Sequence, residues 1–190
     1  MPNWCENTVS IFGSKEVLES VIEFVKPNGS NVPTQNFAGD EKITDMSLQS
    51  IFPIDPELLN GDAFTPENTG WYDWRIENWG TKWDIQAEAT ELHMFKDDVY
   101  YVDYTFDSAW APPTEAMIVL SKTFPEIVIH MSYDEPGMDF SGYAVINKGE
   151  MVDDRQFEHS YDSMSVWLDA YRCMEYTDLN LNEIINGKVE

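Results

Sequence analysis

Residues 98–107 sort their side chains by parity: Tyr100, Val102, Tyr104 and Phe106 on one side, Tyr101, Asp103, Thr105 and Asp107 on the other. Only a pleated strand, with its side-chain period of two, separates such a set into one apolar and one polar face. The same parity recurs at 8–12, where Val9 and Ile11 oppose Thr8 and Ser10. At 84–92, Ile85, Ala87 and Ala89 oppose Gln86, Glu88 and Thr90. At 127–134, Ile127, Ile129 and Met131 oppose Val128, His130, Ser132 and Asp134. A turn at 93–97 joins the strand at 84–92 to that at 98–107 as a hairpin, and a second hairpin through Glu135-Pro136-Gly137 leads to a strand near 140–146. The chain is thus expected to form a sheet that presses one face on a core.

Two helical stretches interrupt the strands. Ser14 reads as an N-cap, followed by Val17, Leu18, Val21, Ile22 and Val25 at helical spacing opposite Glu16, Glu19 and Glu23. Pro27-Asn28-Gly29 ends that helix. Pro112-Pro113-Thr114-Glu115 opens the second, which carries Met117, Ile118, Leu120 and Ser121 and ends at Phe124-Pro125. Between the first helix and the second strand, residues 28–76 read as a large insertion: a loop to about 40, a weakly alternating strand at 46–52, then an aromatic-rich ordered segment at 57–77. Met164, Trp167, Leu168, Tyr171 and Met174 stripe a helix in a C-terminal extension over 148–190. The expected class is therefore α+β, a ferredoxin-like β-α-β-β-α-β antiparallel sheet with helices on one face, in one domain over 1–190. An extra C-terminal strand and helix complete it.

That topology makes a specific demand. Right-handed crossovers set the first and second strands parallel, with the third antiparallel between them and the fourth antiparallel on the far side of the first. The starts of strands one and two then share a sheet edge with the ends of strands three and four. Pro2 to Cys5, Glu77 to Asp84, Ser108 to Pro113 and Tyr133 to Glu135 should all meet there. The candidate site at this edge comprises Asn3, Trp4, Asn7, Trp79, Gly80, Thr81, Lys82, Trp83 and Trp110.

Three ordered motifs carry a family resemblance: Met1-Pro2-Asn3-Trp4-Cys5 with Asn7, then Asn78-Trp79-Gly80-Thr81-Lys82-Trp83-Asp84, then Ala109-Trp110 with Pro112-Pro113. Over roughly residues 1–147 the chain resembles the YubB-type ferredoxin-like domain proteins encoded by phages and plasmids. The resemblance implies a ferredoxin-like fold and a mobile-element origin, and it carries no settled activity. It also implies Thr-Ala-Trp-Ser-Pro-Pro where this chain has Ser108-Ala109-Trp110-Ala111-Pro112-Pro113, so one hydroxyl is missing. The acidic region beyond 150 reads as particular to this member.

Charge narrows the function classes. The chain has 35 acidic against 11 basic residues, net −24, and its thirds 1–60, 61–125 and 126–190 carry −6, −8 and −10. Acidity spread this evenly is not a tail. It repels nucleic acid and anionic lipid, which are held by Lys and Arg, and favours basic protein surfaces or cations. An aromatic share of 14% supplies ample apolar mass for a packed core. Two cysteines, no basic-then-apolar start and no apolar run of membrane length point to a cytoplasmic protein of the host cell.

No nucleophile elbow, phosphate loop or zinc-helix motif is present, so no catalytic residue is assigned, and no enzyme activity, metal or cofactor is expected. His93, His130 and His159 lack ligand spacing, and Cys5 beside Trp4 reads as a small buried hydrophobe. The sheet face away from the helices is expected to show Glu88, Asp103, Asp107 and Asp134, where RNA-binding relatives of this topology show aromatic and basic side chains. Three readings remain. The first is a non-enzymatic accessory protein that binds a basic host protein through its acidic surface, as a nucleic-acid mimic or inhibitor of host defence. The second is a small-molecule binder at the tryptophan edge, with Lys82 meeting an anionic ligand. The third is a virion structural or assembly protein. For the tryptophans themselves a pocket competes with a plug that closes the end of the core.

Overall fold

The computed structural model describes residues 3–27, 44–59, 70–96 and 98–158. Strand β1 (Trp4–Gly13) leads into helix α1 (Lys15–Val25), and two short helices follow, α2 (Leu48–Ile51) and α3 (Pro56–Leu59). Helix α4 (Gly70–Trp79) precedes β2 (Glu88–Ala89), β3 (His93–Lys96) and the long β4 (Val99–Ala109). Helix α5 (Thr114–Thr123) crosses to β5 (Val128–Glu135), and β6 (Phe140–Asn147) and β7 (Glu150–Glu158) finish the sheet.

The sheet order is β2-β4-β1-β5-β6-β7, with β3 also on β4. Because β2 and β1 both run antiparallel to β4, they are parallel to each other with β4 between them, and β5 lies antiparallel on β1's other side. This is the ferredoxin-like topology that the alternation pattern requires. Helices cover one face: Val9, Ile11, Val102, Tyr104, Ile129 and Met131 pack with Leu18 and Val21 of α1, Met117 and Leu120 of α5, and Trp79 of α4. Ser14 caps α1 as its position predicts, its Oγ accepting from the Val17 amide at 3.3 Å.

Four expectations need correction. Residues 46–52 are not a strand; Leu48–Ile51 is a helical turn whose first amides are taken by Asp84. Residues 93–97 are not wholly a turn, since His93–Lys96 pairs with β4. Of 84–92 only Glu88–Ala89 joins the sheet, because the backbone of Ala87 is bound to Thr44 and Asp45 of the insertion instead. The chain also adds β7, which was not foreseen, through a tight turn with Lys148 at φ 52° and Gly149 at φ 76°. Paired positive φ values are what a two-residue hairpin turn matching strand twist demands. The helix expected around Met164 to Met174 and the histidine at 159 lie outside the described residues.

Candidate functional site

Strand register builds the edge. Trp4 pairs with Ala109 and Glu6 with both Asp107 and Asp134, so the start of β1 lies between the ends of β4 and β5. The Trp110 amide donates to the Asn3 carbonyl at 3.0 Å and closes the rim. Trp110 sits at φ 70°, a left-handed conformation costly for a bulky residue, and this turn lifts the chain off the sheet toward α5. From the other side, α4 delivers residues 79–84. Trp4 and Trp83 then meet with ring centroids 5.9 Å apart, and Trp110 meets Tyr72 of α4 at 6.5 Å.

The motif at 78–84 divides its labour residue by residue. Asn78 donates back to the Trp74 carbonyl. Trp79 is fully buried, packed edge-on against Trp74 at 5.9 Å, and its indole N–H donates to the Phe52 carbonyl at 2.8 Å. Gly80 turns the chain at φ 85°, with Pro112 and Thr114 backbone atoms where a Cβ would stand. Thr81 is buried and zips this turn to the end of β4, donating to the Ala109 carbonyl at 2.9 Å and accepting from its amide at 3.1 Å. Lys82 Nζ lies 4.9 Å from the Trp83 ring centroid, 5.1 Å from Trp110 and 5.6 Å from Tyr72. Asp84 turns inward to hold α2.

Burial and exposure are therefore divided among the tryptophans. Trp79 plugs the core, whereas Trp4 and Trp110 are 46% and 38% exposed and sit with Trp83 on the outside of the rim. Asn7 does not face that rim. It lies buried on the helix side, its amide donating to Cys5 O, Phe106 O and Ser108 Oγ. Asn3 stays at the rim beside the 135–138 turn, near Gly137.

One cation escaped the sequence reading. Arg75 of α4 stacks its guanidinium over Trp79 at 4.8 Å and Trp71 at 5.3 Å, and burial pushes its pKa down from the ordinary value while Asp84 works against that. The signal was helical spacing: Trp71, Arg75 and Trp79 recur at intervals of four, hence on one face. Burial likewise pushes the Asp84 carboxyl up, against four donors that favour its charge.

The four face residues Glu88, Asp103, Asp107 and Asp134 lie on the sheet face away from the helices. Glu88 pairs with Thr105, and Asp107 and Asp134 stand on either side of Glu6. Asp107, Glu6 and Asp134 form one row across three strands, and exposed Trp4 is two residues from Glu6 on the same face of β1. The next part of that face is not open: His130 and Tyr143 are buried and stacked at 6.2 Å, and Phe12 and Val128 are buried with Tyr101, Phe95 and Val145 against them. Burial pushes the His130 pKa down, with Asp103 opposing. Elsewhere Glu16, Glu19 and Glu23 of α1 line a shallow groove with Phe24 and Phe124.

Cys5 is fully buried and its thiol is pushed up to about 12, chiefly by burial, so it carries no thiolate near neutral pH. Among the described residues no three His, Cys, Asp or Glu side chains are grouped to hold a metal ion, and no helix is long and apolar enough to cross a membrane.

The family model described as a ferredoxin-like domain in Api92-like protein matches residues 78–177. The match runs past 150, so the chain as far as 177 lies within the span of the family's domain. Among solved structures, protein api92 from Yersinia pseudotuberculosis is similar with a TM-score of 0.56 at 14% identity, over 84% of this chain and 99% of that one. No curated protein matches.

Proposed function

This chain belongs to the family of Api92-like proteins that carry a ferredoxin-like domain, and from that premise we propose that it is a non-enzymatic protein that binds a basic surface on a host protein. One observation carries the reading: the Asp107, Glu6, Asp134 row adjoins exposed Trp4 on a single sheet face. Like charges directly opposite one another across strands destabilise a sheet by about 0.2–1 kcal/mol per pair. Such a row fits a protein whose folded surface serves something other than its own stability. Exposed indole beside charge is the composition of an interface anchor with a polar rim.

Nucleic-acid mimicry is the form we favour. Adjacent strands lie about 4.8 Å apart, so the row presents one charge per roughly 5 Å, against one per roughly 3.4 Å along a DNA strand. A basic groove that accepts phosphates would accept such a line. The same charge disfavours direct nucleic-acid binding. The proposal extends to a phage or plasmid origin and action in the host cytoplasm, supported by the motifs at 1–7, 78–84 and 108–113 that resemble YubB-type proteins.

Capture from host lysate tests it. At low salt the wild-type protein should retain a basic partner and release it as ionic strength rises, and a Glu6→Gln, Asp107→Asn, Asp134→Asn variant should bind at least about ten-fold more weakly. Recovery of no basic partner, or binding indifferent to both salt and the triple substitution, overturns the reading.

A further inference from the structure

In the small-molecule reading Lys82 meets an anion, but the rings around it favour the opposite charge. Three ring faces, of Tyr72, Trp83 and Trp110, stand within 5.6 Å of its ammonium. Ring faces are the negative side of the aromatic quadrupole, so the walls select positive charge. The nearby positive end of α5 is already answered by Glu115 in its own first turn. Around them lies a protein of net charge −24, which raises the local concentration of cations and lowers that of anions.

We propose that Tyr72, Trp83 and Trp110 form a cation cage in which Lys82 is a displaceable internal occupant, and that its external ligand is a weakly hydrated cation, the arginine guanidinium of a basic partner. Hydration sets the direction of exchange. A primary ammonium is compact and strongly hydrated, and regains that hydration when it leaves the cage. A guanidinium or quaternary ammonium is weakly hydrated and planar or apolar, so it loses less water on entering and stacks better on indole. Lys82 can withdraw because its charge sits at the end of a flexible four-carbon stem, whereas the rings are anchored. Trp83 is braced by Trp4 at 5.9 Å, and Trp110 is held through its amide on Asn3. Arg75 shows the same chemistry within this molecule, since its guanidinium is stacked on Trp71 and Trp79 only a helix turn from Tyr72. The exposure of Trp110 gives the ligand a way in.

Naming the ligand as an arginine rests on the basic-partner reading, but the cage itself is tested with no partner at all. The probe is tetramethylammonium chloride, titrated against sodium chloride at equal ionic strength, with the indole N–H signals of the tryptophans followed by NMR. In Lys82→Met, which keeps the stem and removes the charge, the Trp83 and Trp110 signals should shift saturably with tetramethylammonium. The affinity should be at least about three-fold above wild type, and sodium should have no such effect. Trp110→Gly in the Lys82→Met background removes one wall and relaxes a strained backbone, so it should abolish saturation while the remaining indole signals keep their folded dispersion. The cage is overturned if Lys82→Met responds identically to the two salts, or if affinity is unchanged by loss of Trp110. It is also overturned if phenyl phosphate saturates these signals in the wild type and tetramethylammonium does not. Any of those results leaves the salt-dependent capture of a basic protein standing as a separate question.

Discussion

Asp84 gathers four donors on one carboxylate: Ser47 Oγ at 2.7 Å, the Leu48 amide at 2.6 Å, the Gln49 amide at 3.4 Å and the Ile85 amide at 2.8 Å. Three of these come from a segment 35 to 37 residues earlier, so one side chain both caps α2 and ties the insertion to the motif that carries the cage. Asp84→Ala leaves those buried donors without an acceptor, each at a cost of about 1 kcal/mol or more. Urea denaturation should therefore show a loss of about 2–4 kcal/mol, a core-sized effect at a half-buried polar position. A loss below about 0.5 kcal/mol would mean that solvent satisfies α2 equally well. None of this was legible in the sequence, where Asp84 merely begins an alternating stretch. The tryptophans were legible as a group but not singly. Trp79 ends a helix facing the core and Trp83 follows a glycine turn that reverses the chain, so identical side chains four residues apart reach opposite environments.

At the scale of elements, strong periodicity translated directly into structure. The strands around Val9, Tyr104 and Met131 and both long helices flanking them lie where the parity and 3.6-residue patterns place them. Elements went astray where something distant or local overrode a weak pattern: a remote carboxylate makes Leu48–Ile51 helical, and the insertion takes the Ala87 backbone out of the sheet. Helix α4 was hidden because its aromatic residues circle it: Trp71 and Trp79 share the Arg75 stack, with Trp79 reaching the core, and Tyr72 turns to the rim. By contrast Asn147-Lys148-Gly149 was a readable hairpin signal that would have placed β7. The junction between α4 and the cage is most exposed to test at Gly80. Its φ is 85°, and an added Cβ would lie 3.0 Å from the Pro112 carbonyl oxygen and 3.3 Å from the Thr114 amide. Gly80→Ala should cost about 1–2 kcal/mol and lower Tm by several degrees, since both the dihedral and the backbone contact resist it. It should also redden Trp emission by loosening Trp79; an unchanged Tm would show that the turn can adopt another path.

For the molecule as a whole, one property acts on folding and on binding with opposite sign. A net charge of −24, distributed along the entire chain, repels itself most when the chain is compact. The topology was legible because handed crossovers leave few alternatives, and it persists at 14% identity with protein api92 because parity and helical period need only the apolar class of a residue. The location of the charges was legible only in part: the face could be named, but the Asp107, Glu6, Asp134 alignment depends on register, and Glu6 was not singled out. Glu6 stands at the centre of that row, so neutralising it removes two unfavourable pairings at once. Glu6→Gln should raise stability by about 0.5–1 kcal/mol at low ionic strength, and the gain should shrink as added salt screens the row over a Debye length of about 8 Å near physiological ionic strength. The same substitution should weaken capture of the basic partner. Thermal denaturation of both proteins across a sodium chloride series, run beside the capture assay, reads the two effects together. If Glu6→Gln destabilises the fold, or stabilises it equally at every salt concentration, the row is not a site of stored repulsion and the argument from its cost fails.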